Sequence, residues 1–147
     1  MLYFAYGSNM DFEQMRKRCP STITITKASL LNHRLAFTRF SDIRNGGVAD
    51  VIPSETELVE GVTYDISDED TVKLDVFENV AEGFYSRMDV RVTLPAGEII
   101  EVFTYKATEE GEFKPTKAYM AHLINGAKYH GLSSEYTASL EAIETCD

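Results

Sequence analysis

Hydrophobic and polar residues alternate in short stretches along the first two thirds of the chain, and the last third shows the longer helical period. An apolar and aromatic run, residues 2–6, stops at Gly7 and predicts a buried strand followed by a turn. Further strands are predicted where β-branched and aromatic residues cluster. These segments are residues 23–27, 35–40, 48–52 and 59–66.

Two more strands show the clearest alternation in the sequence. In residues 85–94, Met88, Val90 and Val92 alternate with polar or charged neighbours, and in residues 98–106 apolar side chains occupy both faces. The connecting residues 95–97, Pro-Ala-Gly, are typical of a hairpin. These segments therefore predict an antiparallel pair.

Two helices are predicted in the first half of the chain from their capping residues. Residues 11–18 form a helix that Pro20 ends, and Ser8 and Asp11 have the spacing of a capping box, with Asn9 as the alternative N-cap. Ser67 caps a second helix, residues 68–77 or 68–78, whose first turn carries three acidic residues.

Two further helices are predicted in the last third. Thr116 caps residues 117–129, which Gly131 ends, and Ser133 or Ser134 caps a final helix to about residue 144. Many strands with few helices between them argue against a doubly wound parallel sheet. The sequence predicts an α+β fold in one domain, residues 1–147, with an antiparallel-rich sheet, curled or closed, and helices appended late.

The acidic composition of the chain excludes two classes of binding partner. The chain has 24 Asp and Glu against 14 Lys and Arg, a formal charge of −10. Binding to nucleic acid or to an anionic membrane needs a basic face, so neither is predicted. Cys19 and Cys146 have no disulfide or metal-site spacing and are expected to be free thiols. Since no signal peptide or long apolar run is present, a soluble cytoplasmic protein is expected.

The first candidate for chemistry is the turn Tyr6-Gly7-Ser8-Asn9, called here the 6–9 loop. A strand ends there and a helix begins, so backbone N–H groups and the positive end of a helix converge on one point. Such a corner can bind a carboxylate or phosphate without a basic side chain. The alternative is a plain strand–turn–helix junction with a good cap.

Glu78 is the second candidate, because it follows the apolar end of the predicted second helix. The negative helix end and the apolar neighbours both disfavour a charged carboxylate, so the pKa of Glu78 should be raised. A carboxyl of that kind can act as a general base and then as a general acid near neutral pH. The alternative is a solvated glutamate at a helix end.

Tyr85, Tyr105 and Tyr119 are the third set of candidates, and packing in the core or at a rim is the alternative for each of them. The three histidines are too scattered to share a metal ion. No metal site is therefore predicted.

These candidates fall together in one known pattern. The opening octet Tyr3-Phe4-Ala5-Tyr6-Gly7-Ser8-Asn9-Met10 resembles the signature of the gamma-glutamylcyclotransferase family. Further segments resemble the family in order and spacing, so the likeness covers essentially the whole chain. They are Gly46-Gly47-Val48-Ala49, Glu60-Gly61-Val62-Thr63-Tyr64, Leu74-Asp75-Val76-Phe77-Glu78, Gly83-Phe84-Tyr85, Pro115-Thr116-Lys117-Ala118-Tyr119, Gly126-Ala127 and Gly131-Leu132.

The resemblance implies a small mixed α/β barrel with the 6–9 loop at the mouth of a pocket. It implies an enzyme that releases 5-oxoproline from gamma-glutamyl compounds without a metal or cofactor. Carried over residue by residue, Glu78 is the catalytic acid/base, and backbone groups of the loop hold the glutamyl end of the substrate. The residues expected to contact the substrate are Tyr6, Gly7, Ser8, Asn9, Tyr85, Tyr105 and Tyr119.

One position departs from the family pattern, because Asn79 stands where glycine usually follows the glutamate. Asparagine tolerates a left-handed backbone second best to glycine, so the helix stop is expected to survive.

The sequence does not determine which amine is the leaving group of the substrate. The alternatives are gamma-glutamyl amino acids or amines, a gamma-glutamyl group on a lysine side chain, and a gamma-glutamyl group on a carrier-bound biosynthetic intermediate. A non-catalytic small-molecule binding protein of the same fold is the alternative from another class. The oligomeric state is open between a monomer and a homodimer.

Overall fold

Five strands close into a barrel in the computed structural model of the chain, which describes residues Met1–Asp147. All neighbouring strands are antiparallel except β1 and β5, which pair in parallel and close the barrel. The predicted α+β class with an antiparallel-rich, closed sheet is confirmed. In order around the barrel the strands are β1 (Leu2–Ala5), β3 (Gly46–Asp65), β2 (Ile23–Ser41), β4 (Tyr85–Thr93) and β5 (Ile99–Ala107).

β2 and β3 form one long hairpin in place of the shorter strands predicted between residues 23 and 66. A β-bulge bends a strand without ending it. The predicted breaks at residues 28–34 and 53–58 were therefore wrong, because the apolar segments on either side belong to one continuous strand, whereas the break after residue 40 is confirmed as the turn of the hairpin. The register of the pair shifts between Thr24 and Thr26, between Leu31 and His33, and between Phe37 and Arg39.

Three helices begin at predicted caps, whose hydroxyl groups each accept a backbone N–H. The last helix ends earlier than predicted, because the chain turns back after Ala142 and the Cys146 N–H donates to Pro115 O at 2.9 Å. The helices are α2 (Asp68–Phe77) after Ser67, α3 (Lys117–His130) after Thr116 and α4 (Ser134–Glu141) after Ser133.

The first helix starts later than its capping pattern suggested. Ser8–Met10 form a short 3-10 helix, and α1 (Phe12–Arg18) begins after Asp11, whose carboxylate caps it. Ser8 and Asn9, the predicted caps, instead accept hydrogen bonds from the side chain of Gln14. The predicted capping box was wrong because these side chains face the interior of the barrel end.

The 6–9 loop is held in place by close packing of α3. A side chain at Gly126 would bring its Cβ within 2.5 Å of the Met10 backbone, so only glycine lets the helix approach this closely. The Tyr64 hydroxyl, on β3, also donates to Asn9 O at 2.8 Å. The loop is therefore a fixed part of the barrel end.

Cys19 is buried and Cys146 is exposed, and both are free thiols, as their spacing predicts. No helix of the structure combines the length and the apolar character that crossing a membrane requires.

Candidate active site

The predicted site residues surround one cavity of about 520 Å³. It lies where β1, β2 and β5 end and where β3 and β4 begin, because the pairing of the strands brings these five ends together. The eight predicted residues all contribute to its wall. They are Tyr6, Gly7, Ser8, Asn9, Glu78, Tyr85, Tyr105 and Tyr119.

Glu78 enters this cavity from the end of α2. The Val80 N–H reaches back to Asp75 O at 3.0 Å, the pattern of a Schellman motif. Asn79 occupies the left-handed position of that motif, with a φ of 53°. The helix stop therefore survives without glycine, as predicted, and Glu78 leaves the helix at the cavity wall.

Burial dominates the electrostatics of Glu78. The carboxyl is enclosed except toward the cavity, and this burial raises its pKa to about 7. Arg18, the amide of Asn9 and Arg44 favour the charged form and offset only part of the effect. A carboxyl with this pKa can accept and return a proton near neutral pH.

Asn9 is fixed by four hydrogen bonds, which determine the end of its amide that meets Glu78. Its Oδ1 accepts from Gln14 Nε2 at 3.0 Å and from Arg18 Nη1 at 3.2 Å. Its Nδ2 therefore donates to the Tyr3 hydroxyl at 3.1 Å and to Glu78 Oε1 at 3.2 Å. Glu78 accepts no other hydrogen bond from the protein, so its second oxygen is free for a ligand.

The 6–9 loop offers donors that the protein does not use. Ser8 Oγ accepts from Gln14 Nε2 at 2.9 Å and from Arg44 Nη2 at 3.4 Å, so its own O–H remains free. The Gly7 N–H also has no acceptor within the protein. This side of the cavity is suited to an anionic group.

Tyr85 and Tyr119 are both oriented by the backbone of one residue, Ala49. The Ala49 N–H donates to the Tyr119 hydroxyl at 3.0 Å, and the Ala49 carbonyl accepts from the Tyr85 hydroxyl at 2.7 Å. Tyr119 consequently keeps a proton to donate, whereas Tyr85 keeps only lone pairs that accept.

Tyr6 and Tyr105 line the cavity but commit their hydroxyl protons to the protein. Tyr6 donates to the Tyr105 carbonyl, and Tyr105 donates to Asp75 Oδ1 at 2.6 Å. Arg87 on β4 binds the same carboxylate through two hydrogen bonds, at 2.8 and 2.6 Å. These bonds tie α2, which carries Glu78, to β4 and β5.

The basic side chains of the cavity were not predicted from the sequence. Arg18, Arg39 and Arg44 all line it, whereas the 6–9 loop was expected to bind an anion without them. The spacing of Gln14 and Arg18, one turn apart on α1, could have indicated a polar face beside the loop. Arg44 lies in the turn between β2 and β3, and nothing local distinguishes it from a solvated arginine.

Known proteins share this architecture and sequence. The AIG2-like family matches residues 58–140 of the chain. Gamma-glutamylcyclotransferases from Bos taurus and Homo sapiens are each 33% identical over 150 residues, which cover 99% of this chain and 80% of theirs. A solved structure of a gamma-glutamyl cyclotransferase superposes with a TM-score of 0.97 at 32% identity, over 100% of this chain and 89% of that one.

Proposed function

This chain belongs to the AIG2-like, gamma-glutamylcyclotransferase family, and from that premise we propose that it is an enzyme releasing 5-oxoproline from gamma-glutamyl compounds. In this reaction the α-amine of the substrate attacks its own γ-carbonyl, closes a five-membered ring and expels an amine. The observation that carries the proposal is Glu78, a carboxyl with a pKa of about 7 and one protein hydrogen bond, at a cavity whose other walls offer unused donors.

The first task of the protein is to fold the glutamyl chain back on itself. Well-oriented intramolecular attacks reach effective molarities of about 10⁵–10⁸ M, so orientation supplies much of the acceleration. The free Gly7 N–H and Ser8 O–H hold the α-carboxylate at the 6–9 loop. Asn9 of the same loop donates to Glu78, so the Glu78 carboxyl lies next to the loop. A substrate whose α-carboxylate is bound at the loop therefore has its α-amine near Glu78.

Glu78 moves the protons. A peptide-like α-amine has a pKa of about 7.7–8.0 and is mostly protonated at neutral pH, so a base must free it. Glu78 takes a proton from the ammonium group, and it protonates the departing nitrogen as the C–N bond breaks. The attacking nitrogen loses two protons in all, from ammonium to ring amide, and the departing nitrogen gains two, from amide to ammonium. Glu78 relays these protons one after the other, so its carboxyl is ionised again at the end, as it was at the start.

The tyrosines supply complementary hydrogen bonds. Tyr119 donates its free proton to the γ-carbonyl oxygen, on which negative charge develops as the ring closes. Tyr85, whose hydroxyl proton is held by Ala49, accepts from the substrate ammonium. This division follows from which partner each hydroxyl already has.

The test is release of 5-oxoproline from compounds that share the glutamyl end and differ in the leaving group. A suitable panel contains a gamma-glutamyl amino acid, a gamma-glutamyl alkylamine and a gamma-glutamyl group on the lysine ε-amine. EDTA in every assay tests the independence from metals that the family resemblance implies. We expect the wild-type protein to turn over at least one member.

Two variants connect that activity to the cavity. Glu78→Gln should release 5-oxoproline about 10²–10⁴-fold more slowly than the wild type. Glu82→Gln, a change at an exposed glutamate four residues further along the chain, should behave as the wild type. No release from any compound, with 5-oxoproline still bound, would favour the non-catalytic binding protein instead.

A further inference from the structure

Arg44 is a half-buried cation with no carboxylate of the protein within 4 Å. It lies in the turn between β2 and β3 and lines the cavity. Its Nη2 donates to Gln14 Oε1 at 2.8 Å and to Ser8 Oγ at 3.4 Å, and its guanidinium carbon lies 5.4 Å from the centre of the Tyr119 ring. All these partners are neutral.

Other arginines of the chain show how its cations are usually held. Arg39, Arg87 and Arg91 each lie within 4 Å of a carboxylate, and Arg34 is exposed to solvent. The chain has 24 acidic residues, so carboxylates that could pair with an arginine are abundant. Burial lowers the pKa of the Arg44 guanidinium, yet an arginine stays protonated in proteins. A charge in this position is stabilised when a ligand brings the missing anion.

Arg18 also has no carboxylate within 4 Å, but its surroundings differ. It donates to Asn9 Oδ1 at 3.2 Å and lies over the Phe77 ring at 4.9 Å. Its charge is the strongest single influence that favours ionised Glu78. Arg18 therefore acts mainly on Glu78, whereas Arg44 influences Glu78 less and lies against Ser8 of the 6–9 loop.

The neighbours of Arg44 indicate which part of a ligand it meets. Ser8 Oγ accepts from both Gln14 and Arg44, so its own O–H stays free, and Gly7, whose N–H has no acceptor in the protein, lines the same cavity. Three kinds of donor thus meet at one place: a guanidinium, a hydroxyl and a backbone amide. A carboxylate offers about four lone-pair sites and matches the fork of a guanidinium.

We propose that Arg44, together with the 6–9 loop, binds the α-carboxylate of the gamma-glutamyl group and so restricts the enzyme to substrates in which this group is free. The proposal rests on the proposed function and names a binding residue for it. The carboxylate and the attacking amine are attached to the same carbon atom. An acid gripped between Arg44 and Ser8 therefore fixes the direction in which the amine points, toward Glu78.

The experiment compares one gamma-glutamyl amine with the same compound carrying an α-carboxamide, which removes the charge and nearly keeps the shape. Wild-type protein should prefer the acid by roughly 10- to 100-fold in kcat/KM, the range for a hydrogen bond to a charged group. Arg44→Gln should remove most of that preference, and Arg44→Lys should keep part of it because the charge remains without the fork. Arg34→Gln, a change at the exposed arginine on β2, should keep the full preference.

An unchanged preference for the acid in a folded Arg44→Gln variant would overturn the proposal, and a thermal melt establishes that the variant is folded. A second pair of substrates places the carboxylate on the leaving group. If Arg44→Gln alters only that second preference, Arg44 contacts the leaving group and the assignment is wrong.

Binding of the product separates this proposal from the proposed function. Calorimetry with 5-oxoproline and its carboxamide measures recognition of the same carboxylate without turnover. If no compound is turned over but the wild type prefers 5-oxoproline and Arg44→Gln does not, the role of Arg44 stands and the enzymatic function fails. If turnover occurs and neither measurement responds to Arg44→Gln, the function stands and the role of Arg44 fails.

Discussion

Asp50 in the barrel wall and Glu78 at the cavity are both enclosed carboxyl groups, and the protein surrounds them in opposite ways. Asp50 is 0% exposed and accepts four hydrogen bonds from the protein, whereas Glu78 accepts one, from Asn9 at 3.2 Å. The donors to Asp50 are Thr38 Oγ1 at 2.8 Å, Lys106 Nζ at 2.7 Å, the Val51 N–H at 2.8 Å and the Ala107 N–H at 3.1 Å.

The difference separates a carboxyl that holds the fold from one that is free to react. Asp50 joins β2, β3 and β5, and all its bonds lie within the protein, so it has nothing to offer a substrate. Glu78 has one oxygen free for a ligand, and burying its charge with so few hydrogen bonds lowers the free energy of unfolding. Raising its pKa from 4.5 to about 7 costs about 3 kcal/mol once the pH lies above both values.

The largest expected effect is that of Glu78→Gln on turnover. Loss of a general acid/base lowers the rate by about 10²–10⁴-fold, and 5-oxoproline release measures it. The same variant should be more stable than the wild type by about 1–3 kcal/mol at about pH 8. The folded state binds the Glu78 proton more tightly than the unfolded state, so wild-type stability falls as the pH rises through the interval from 4.5 to about 7.

Denaturant unfolding of both proteins at about pH 5 and pH 8 checks the sign of this effect, since the gain should shrink at the lower pH. A variant that is inactive and less stable at the higher pH would mean that Glu78 supports the fold rather than the chemistry.

The next largest effect is on stability and has the opposite sign, since removing the Asp50 carboxylate should destabilise the fold. Asp50→Ala should lower the free energy of unfolding by about 3 kcal/mol, the lower end for a broken buried pair, because Lys106 keeps part of its hydration. Unfolding in urea measures it, with Asp89→Asn on the exposed face of β4 as the control. A change below about 0.5 kcal/mol, as at an ordinary surface position, would remove the contrast between the two carboxyl groups.

A smaller effect distinguishes the two tyrosines that Ala49 orients. Tyr119→Phe removes a free donor and should lower kcat by about 10-fold, whereas Tyr85→Phe removes a hydroxyl whose proton is already held and should cost less. Steady-state kinetics of both variants with one substrate measures the ratio. Equal losses would show that the hydrogen bonds to Ala49 do not assign different roles to the two hydroxyl groups.

Features that depend on near neighbours along the chain were predictable. The cap at Ser67 and the left-handed Asn79 are formed by hydrogen bonds within a few residues, so the local sequence contains the whole signal. The bulges that join the predicted strands carry no such signal, because they depend on the partner strand.

Only those residues of the candidate site that belong to the family-like segments of the sequence were predictable. The 6–9 loop and Glu78 stand out by resemblance, although 69 residues separate Asn9 from Glu78. Arg44 meets Ser8 across 36 residues through the turn of a long hairpin. Nothing next to Arg44 in the sequence indicates that contact.

Burial raises the pKa of the Glu78 carboxyl to about 7, and the proposed proton transfer depends on that value. Carbon-13 NMR of protein labelled at the glutamate carboxyl groups, titrated beside Glu78→Gln, measures this directly. We expect one resonance that titrates near pH 7, in line with the pKa of about 7, and that is missing from the variant. A Glu78 resonance that titrates near the ordinary glutamate value of about 4.3 would contradict it.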